Sequence, residues 1–329
     1  MSYKDFPKIE LHHHLEGAAP PAFVRDMARA RGLDISNIFD AKGAYAYRDF
    51  SHFLNVYEAA TRPFSSPDDY ALLTAIVAGE AAEQGVVYLE TFLSPDFCGG
   101  RDPVAWREYL AAMFEAAVAA EQLGITLRGI VTAVRHSGPE AARETALCAQ
   151  ETAGDFVVGF GMGGDENAGD TADFAYAFDM AREAGLRLTS HAGEWAGPAS
   201  VRDALTHLKV ERIGHGVRAI EDPALVALLA ETGTVLEVCP GSNVALGLYK
   251  SWKDHPIARL REAGVKVTVS TDDPPFFHTT MTREFEELER AFGWGEGDFA
   301  ALNRVALDAA FCDDRTRAEI AKRLEPADA

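Results

Sequence analysis

Eight short apolar segments, separated by longer stretches of helical periodicity, run through this chain of 329 residues. Such segments predict buried β-strands, and strands that alternate with helices predict a parallel sheet. Eight of these units predict an α/β protein with the closed (β/α)8 TIM barrel, in a single domain of residues 1–329. A doubly wound open sheet is the alternative, but no GxGxxG pattern follows the first segment. The segments are residues 8–15, 86–93, 127–134, 156–163, 186–193, 211–217, 234–241 and 265–271.

A long connection, about residues 17–80, follows the first predicted strand. Within it Phe50, Phe53, Leu54 and Tyr57 recur at helical spacing, which predicts a helix with one apolar face. That helix can pack its apolar face on the barrel, or it can be a lid that supplies an apolar wall to a ligand at the barrel mouth. The two interpretations are compatible.

The composition excludes several classes of partner. The chain has 31 basic and 51 acidic residues, a formal net charge of −20, so nucleic acid and an anionic membrane surface would repel it. No apolar run approaches the roughly 20 residues that span a bilayer, and the N-terminus lacks the apolar core of a signal peptide. Four cysteines without a CxxC pattern are typical of a reducing compartment. We therefore expect a cytoplasmic protein, and the oligomeric state stays open.

Three consecutive histidines, His12, His13 and His14, lie at the end of the first predicted strand. They belong to the apolar run KIELHHHL, whereas a purification tag usually stands in polar surroundings. Side chains alternate between the two faces of a strand, so His12 and His14 should point to the barrel axis and His13 away from it. Paired imidazoles suit Zn²⁺, and we expect no catalytic role for His13.

Three further predicted strands end in residues that can bind a metal or carry a proton. The fifth ends in SHAGE, with His191 and Glu194; the sixth ends in GHG, with His215; the eighth ends in STDDP, with Asp272 and Asp273. A single buried histidine is usually a core residue, and a single aspartate at a strand end is usually a helix cap. Four strands that all end in such residues at the C-terminal face of one barrel indicate an active site.

These residues predict a site for one divalent metal ion, expected to be one Zn²⁺ per chain, although Fe²⁺, Mn²⁺ or Co²⁺ could occupy the same ligands. The ion would lower the pKa of a water ligand and so generate hydroxide. His215 would take a proton from that water or steady the developing charge, and Glu194 would act as a general acid toward the substrate. The fourth strand ends in GFGMGGDE, without the lysine that bridges two metals in many barrel hydrolases, so one ion is preferred. The expected ligands are His12, His14, His191 and Asp272.

Six motifs, in order from residue 7 to residue 274, resemble those of the adenosine/adenine deaminase family of the metal-dependent amidohydrolase superfamily. They are PKIELHHHLEG, GGDE, SHAGE, RIGHGV, EVCPGSN and VSTDDP. The resemblance implies a (β/α)8 barrel with one Zn²⁺ that hydrolyses the 6-amino group of a purine and releases ammonia. It implies the same four metal ligands, a catalytic role for Asp272, and for Glu194 the protonation of a purine ring nitrogen. His215 matches the histidine that orients and activates the water.

The resemblance also implies contacts with the substrate. Asp273 matches the residue that hydrogen-bonds the imidazole part of the base, and Gly164 matches the glycine whose N–H meets the pyrimidine part. Glu16 stands where family members often have an aspartate that contacts ribose, so this match is weaker. Together with the apolar residues of the long connection, the expected substrate contacts are His14, Glu16, Gly164, Asp273, Phe50, Phe53 and Leu54.

The expected reaction is hydrolytic deamination of adenosine to inosine and ammonia, by attack of metal-bound hydroxide on the purine carbon that bears the 6-amino group, with 2′-deoxyadenosine as a further substrate. GGDE resembles adenosine deaminases, whereas adenine-specific relatives tend to have a DSSE-like stretch there. The alternatives are an adenine deaminase and a deaminase of a modified adenine nucleoside. A non-catalytic protein that binds metal or nucleoside is disfavoured, because it would need neither Glu194 nor His215. A second class of zinc deaminase carries a PCxxC signature that this chain lacks.

Overall fold

The structure, a computed structural model, describes residues 2–325 and confirms the predicted barrel. Eight parallel strands follow one another around the sheet in chain order, which a doubly wound sheet would not do. The strands are β1 (Lys8–Glu10), β2 (Val86–Leu93), β3 (Thr126–Val134), β4 (Val157–Gly163), β5 (Arg187–Ala192), β6 (Arg212–His215), β7 (Val235–Val238) and β8 (Lys266–Val269).

α-Helices connect the strands and surround the sheet. They are α1 (Pro21–Ala30), α2 (Phe50–Thr61), α3 (Pro67–Glu83), α4 (Pro103–Ala120), α5 (Pro139–Thr152), α6 (Ala175–Glu183), α7 (Pro198–Asp203), α8 (Pro223–Thr232), α9 (Pro240–Ala245), α10 (Ile257–Glu262), α11 (Pro274–Phe277), α12 (Met281–Phe292), α13 (Glu296–Ala309) and α14 (Asp314–Leu324). α3 packs against β2 and α4, so it belongs to the helical layer of the barrel, and the extra helices of the first connection are α1 and α2. Within residues 2–325, no helix combines the length and the apolar character needed to cross a bilayer.

Several connecting helices begin where the sequence has Ser or Asp directly before a proline. The Ser66 hydroxyl accepts the Asp69 N–H at 3.3 Å, and the Asp69 carboxylate accepts the Ser66 N–H at 2.9 Å, at the start of α3. Asp102 and Asp222 cap α4 and α8, which also start with proline. Proline suits the first turn because its missing N–H would be unpaired there, and the cap satisfies a free N–H. These local signals determine where the loops at the barrel mouth end.

The barrel closes between β8 and β1 at the histidine triplet itself. The Asp272 N–H donates to the His12 carbonyl at 3.2 Å, and the His14 N–H donates to the Asp272 carbonyl at 3.1 Å. The predicted first strand was too long, because β1 ends before the triplet. Beyond it, the N–H groups of Leu11 and His12 donate to the Ser270 hydroxyl instead of to a neighbouring backbone. At the predicted metal ligands, the regular strand ladder is thus replaced by isolated bridges, from His13 to Asp272 and from His14 to Phe92.

A buried network of charged side chains lies inside the barrel. Arg212 of β6 donates from Nη2 to Oε2 of Glu90 on β2 and from Nε to Oε1 of Glu237 on β7, both at 2.6 Å. Its guanidinium also lies over the ring of Phe311, 3.5 Å from the centroid. Buried charges are tolerated only when they are paired and hydrogen-bonded. His12 extends the network to the barrel mouth, because its Nδ1 donates to Glu237.

Candidate active site

Four side chains converge at the C-terminal ends of the strands. Nε2 of His14 lies 3.2 Å from Nε2 of His191 and 3.2 Å from Oδ1 of Asp272. Nε2 of His12 lies 3.5 Å from the same Asp272 oxygen. One nitrogen or oxygen atom from each of the four residues lies within 4.8 Å of the others. The structure therefore brings together the four residues that the sequence predicted as metal ligands, hereafter the ligand group.

The hydrogen bonds around the ligand group favour a cation at its centre. Nε2 of His12 is buried and has no hydrogen-bond partner among the described residues. The other ring nitrogen of two of the histidines contacts an oxygen outside the ligand group. Nδ1 of His12 lies 2.8 Å from Oε2 of Glu237, and Nδ1 of His191 lies 3.0 Å from the Met162 carbonyl oxygen. Because these two partners are acceptors, the Nδ1 atoms carry the protons and the Nε2 lone pairs face the centre. Three imidazoles and a carboxylate fit one divalent ion such as Zn²⁺.

His13 points away from the ligand group. Its Nδ1 lies 3.0 Å from Oγ1 of Thr91, and its ring lines a separate cavity beside α3 and α12. Burial lowers the pKa of His13 to about 3, so the imidazole is neutral. The orientations of the three consecutive histidines agree with the alternation expected of an extended backbone.

Two site residues have strained backbones. φ is 60° at His215 and 69° at Asp272, in the left-handed region that residues other than glycine rarely adopt. Such strain costs about 1–3 kcal/mol per residue and persists only where the surroundings enforce it. Asp272 is held by the bonds that close the barrel and by Ser242, whose Oγ donates to Oδ2 at 2.7 Å. The strain lies at the ends of two strands, where side chains must turn into the mouth.

Glu194 is a buried carboxyl group beside the ligand group. Its pKa is raised well above the usual value, chiefly by burial and then by the negative charges of Asp272 and Glu166. Nδ2 of Asn243 donates to Oε1 at 3.2 Å, which opposes the shift in pKa. A raised pKa favours the protonated carboxyl group, the form suited to general acid catalysis, which is the role expected from the sequence.

His215 lies between Glu194 and Asp272. Its Nε2 is 3.8 Å from Oε2 of Glu194 and 3.9 Å from Oδ2 of Asp272, which is too long for a hydrogen bond to either. Burial lowers the pKa of His215 to about 3, although the charge of Asp272 opposes the shift. The imidazole is therefore neutral and can accept a proton.

Glu166 had no role assigned from the sequence, yet it holds the loop that carries Glu194. Its carboxylate accepts the backbone N–H groups of Glu194, Trp195 and Ala196, at 3.1, 3.0 and 2.7 Å. Hydrogen bonds to a carboxylate are stronger than those between neutral groups, so these three fix the loop. The signal was present, because Glu166 ends the GGDE motif. Three more supporting residues lie in the EVCPGSN motif, also without an assigned role: Glu237, Ser242 and Asn243.

A cavity of about 650 Å³, counted with its open mouth, adjoins the ligand group. Six of the seven predicted substrate contacts line it: His14, Phe50, Phe53, Leu54, Gly164 and Asp273. Helix α2 forms the apolar wall and also packs on the barrel. The ring centroid of Phe53 lies 5.3 Å from that of Phe277, and the centroid of Phe50 lies 4.7 Å from that of Trp195.

Asp273 presents a carboxyl group to the cavity. Its Oδ1 is buried, with no hydrogen-bond partner within residues 2–325. Burial, followed by the charge of Asp272, raises the pKa of Asp273 well above its usual value. A buried polar atom without a partner is costly, so this atom is suited to bond a polar atom of a ligand.

Glu16 is the predicted substrate contact that the structure does not bring to the cavity. The residue is 2% exposed, and its Oε1 accepts the Tyr70 hydroxyl at 3.3 Å. Burial raises the pKa of Glu16 to about 7, despite the hydrogen bond from the Tyr70 hydroxyl. Tyr57, which does line the cavity, takes the place at the wall that Glu16 was expected to have.

The adenosine deaminase family matches residues 7–327 of the chain. Curated relatives cover almost all of it. An adenine deaminase of Agrobacterium fabrum is 48% identical over 318 residues, 96% of this chain and 97% of that protein. An adenine deaminase of Chelativorans sp. is 48% identical over 321 residues, 97% of this chain and 98% of that protein.

Solved structures are similar as well. The crystal structure of an adenine deaminase from Arthrobacter aurescens has a TM-score of 0.88 at 28% identity, over 97% of this chain and 98% of that chain. The crystal structure of an amidohydrolase from Burkholderia ambifaria with bound Zn has a TM-score of 0.86 at 27% identity, over 97% of this chain and 90% of that chain. These curated relatives are named adenine deaminase, whereas the GGDE motif led us to expect adenosine as the substrate.

Proposed function

The chain belongs to the adenosine deaminase family and is a hydrolase that removes an amino group from a cyclic amidine, and we propose that its substrate is free adenine. The reaction then consumes one water and yields hypoxanthine and ammonia. The observation that carries the proposal is that curated proteins 48% identical over nearly the whole chain are named adenine deaminase. We propose Zn²⁺ as the metal, one per chain, since a similar amidohydrolase contains bound Zn.

In the proposed complex, the carbon that bears the amino group faces the ligand group. N1 then lies on the Glu194 side and N7 on the Asp273 side, because these two carboxyl groups follow β5 and β8 on either side of His215. The pyrimidine edge lies against Gly164. This residue has φ of 101°, and an added Cβ would lie 2.8 Å from Nδ1 of His136, so glycine is required at this point of the cavity wall.

The residues of the chain divide the proton transfers between them. The ligand group would hold one divalent cation, which supplies a Lewis acid that makes water nucleophilic at neutral pH. Glu194 donates its proton to N1, which accommodates the electrons displaced as the ring loses its aromaticity. His215 accepts one proton from the attacking water and passes it to the departing amine. The second proton of the water returns to Glu194, so the atoms balance.

The position of Glu16 supports a base without a sugar. Glu16 is the residue at which the family resemblance implied a ribose contact, and its carboxylate bonds Tyr70 behind the cavity wall. Glu194, Gly164 and Asp273 supply partners for the nitrogens of the base, while Glu58 and His136 lie further out, at the cavity mouth. Deamination of a modified adenine nucleoside has no comparable support.

Ultraviolet absorbance during incubation of the zinc-replete protein with adenine, adenosine and 2′-deoxyadenosine tests the proposal. We expect deamination of adenine, with kcat/KM for both nucleosides lower by about 10²-fold or more. Faster turnover of adenosine would restore the nucleoside interpretation, and no turnover of any of the three would favour a non-catalytic binder.

In Glu194→Gln we expect the metal to be retained and adenine turnover to fall by about 10²–10⁴-fold, because an amide cannot donate an acid proton.

A further inference from the structure

The three groups assigned to the base occupy only part of the barrel's circumference. Gly164 follows β4, Glu194 follows β5 and Asp273 follows β8. The strands run in chain order around the barrel, so the sector above β1, β2 and β3 completes the circle between Asp273 and Gly164. We call this part of the barrel mouth the β1–β3 sector. The part of the ligand that Gly164, Glu194 and Asp273 do not contact must point toward it.

The order of atoms around a purine determines what points into the β1–β3 sector. Starting from the carbon that bears the amino group, the ring nitrogens follow in the order N1, N3, N9 and N7. With N1 at Glu194, the N3 edge at Gly164 and N7 at Asp273, N9 faces the β1–β3 sector. N9 is the atom that carries ribose in a nucleoside, so the residues of this sector decide between a base and a nucleoside.

Tyr57 of α2 lies over the β1–β2 part of this sector. Its ring centroid lies 6.3 Å from that of His14, which follows β1, and 5.7 Å from that of Phe97, which follows β2. An added Cβ on Gly17 would lie 2.9 Å from Cε2 of Tyr57, so the chain after β1 packs directly on the ring. The Tyr57 ring lines the cavity and is partly buried against the core.

The rim of the same sector is bridged by a second contact. Oε1 of Glu58, the next residue of α2, lies 3.2 Å from Nε2 of His136, in the loop after β3. Both residues line the cavity mouth, and their side chains are 50% and 30% exposed. Such an exposed pair is weak, so we treat it as a smaller barrier than the partly buried Tyr57 ring.

On the basis of the proposed adenine substrate, we infer that Tyr57 is the residue that restricts the site to the free base, with the Glu58–His136 pair as a secondary barrier at the rim. The ring occupies the space that a ribose on N9 would need. It leaves the contacts of N1, N7 and the pyrimidine edge intact, so it selects against the sugar without weakening recognition of the base. Exclusion of this kind lowers the affinity for the wrong ligand and adds nothing to that for the right one.

Tyr57→Ala and the matched control Tyr57→Phe test this role. We expect Tyr57→Ala to raise the ratio of kcat/KM for adenosine to that for adenine by about tenfold or more, mainly through KM for adenosine. Tyr57→Phe keeps the ring and loses only the hydroxyl, so its ratio should stay within about threefold of the wild-type value. Glu58→Ala should raise the ratio by less than Tyr57→Ala does. A purely structural role for Tyr57 would lower both activities together and leave the ratio unchanged.

A series of N9-substituted adenines tests the same point on the unmodified protein, should Tyr57→Ala fail to fold. We expect wild-type kcat/KM to fall from adenine to 9-methyladenine and again to 9-ethyladenine. Equal rates for all three would overturn the inference, as would a folded Tyr57→Ala protein that deaminates adenine with the wild-type ratio. In both of those cases adenine remains the preferred substrate and the proposed function stands. A wild-type preference for adenosine would instead reject the proposed function itself.

Discussion

Glu237 accepts a hydrogen bond from Nδ1 of His12 at 2.8 Å, and this contact directs the other ring nitrogen of His12 into the ligand group. Burial raises the pKa of Glu237, but the charge of Arg212 and the bond from His12 outweigh it and lower the pKa to about 2. Glu237 is therefore a permanent acceptor, and it selects the tautomer of His12 that can bind a cation. The buried network of the barrel thus serves the site at its mouth.

Glu237→Gln should weaken metal binding. The amide is a poorer acceptor for the Nδ1–H of His12, so the ring loses its fixed orientation and some of its basicity. Loss of such a supporting contact typically lowers metal affinity by about 10–100-fold. Competition for zinc with a chelator of known affinity measures the change.

Glu90→Gln is the matched control for this variant. It removes the other carboxylate bound to Arg212 but does not touch His12, so it should lower stability and leave zinc affinity close to the wild-type value. Equal loss of affinity in the two variants would mean that Glu237 acts through the charge network and not through His12.

The alternation of the histidine triplet predicts unequal effects of two neighbouring substitutions. His14→Ala removes a member of the ligand group and should reduce the zinc content to well below one ion per chain. His13→Ala removes only a contact with Thr91 on the opposite side of the chain, so its zinc content should match that of the wild type. Elemental analysis of both purified proteins measures the difference, and zinc loss in a folded His13→Ala protein would contradict the assignment.

Glu166→Gln should impair catalysis without direct contact to the substrate. The loop that carries Glu194 would lose a charged acceptor for three backbone N–H groups, and misplacement of a catalytic group by about 1 Å can cost about 10²-fold in rate. We expect this loss mainly in kcat for adenine. Asp165→Asn is the matched control, since within residues 2–325 the Asp165 carboxylate accepts hydrogen bonds only from Asn167. Similar losses in both variants would argue against a positioning role for Glu166.

Glu284 of α12 should make the protein less stable as the pH rises. The carboxyl group accepts bonds from the Thr279 hydroxyl at 2.5 Å and the Gly241 N–H at 3.1 Å. Burial raises its pKa from 4.5 to about 8, despite these bonds. Between these values the native state keeps a proton that the unfolded state has lost, so the free energy of unfolding falls with pH, by at most about 1.4 kcal/mol per pH unit.

Glu284→Gln removes this contribution, because the amide does not titrate. Urea unfolding of the wild type and the variant at pH 5 and pH 8 measures it. The variant should gain stability relative to the wild type between pH 5 and pH 8, whatever its absolute stability. The same pH dependence in both proteins would mean that Glu284 is ionised in the native state.

The arrangement of the barrel and the residues of the ligand group followed from the sequence, because both rest on local patterns. Eight apolar segments separated by helical periodicity leave few topologies open, and parallel strands place all their C-terminal ends at one face. His12 and His14 were assigned to the same face even though β1 ends before them, because the extended backbone continues through the triplet.

The tertiary structure alone decided which residues orient the metal ligands and the catalytic loop, and which residues limit the space for substrate. The bond from His12 to Glu237 joins residues 225 positions apart, and the three bonds that Glu166 accepts come from a loop 28–30 positions away. Neither periodicity nor spacing encodes such partners, because they depend on how separate elements pack. The same is true of Glu16, which a short motif placed at the substrate and the packing of α2 and α3 placed behind Tyr57. A sequence pattern specifies which face a side chain takes, whereas its neighbours across the barrel determine what that side chain can bind.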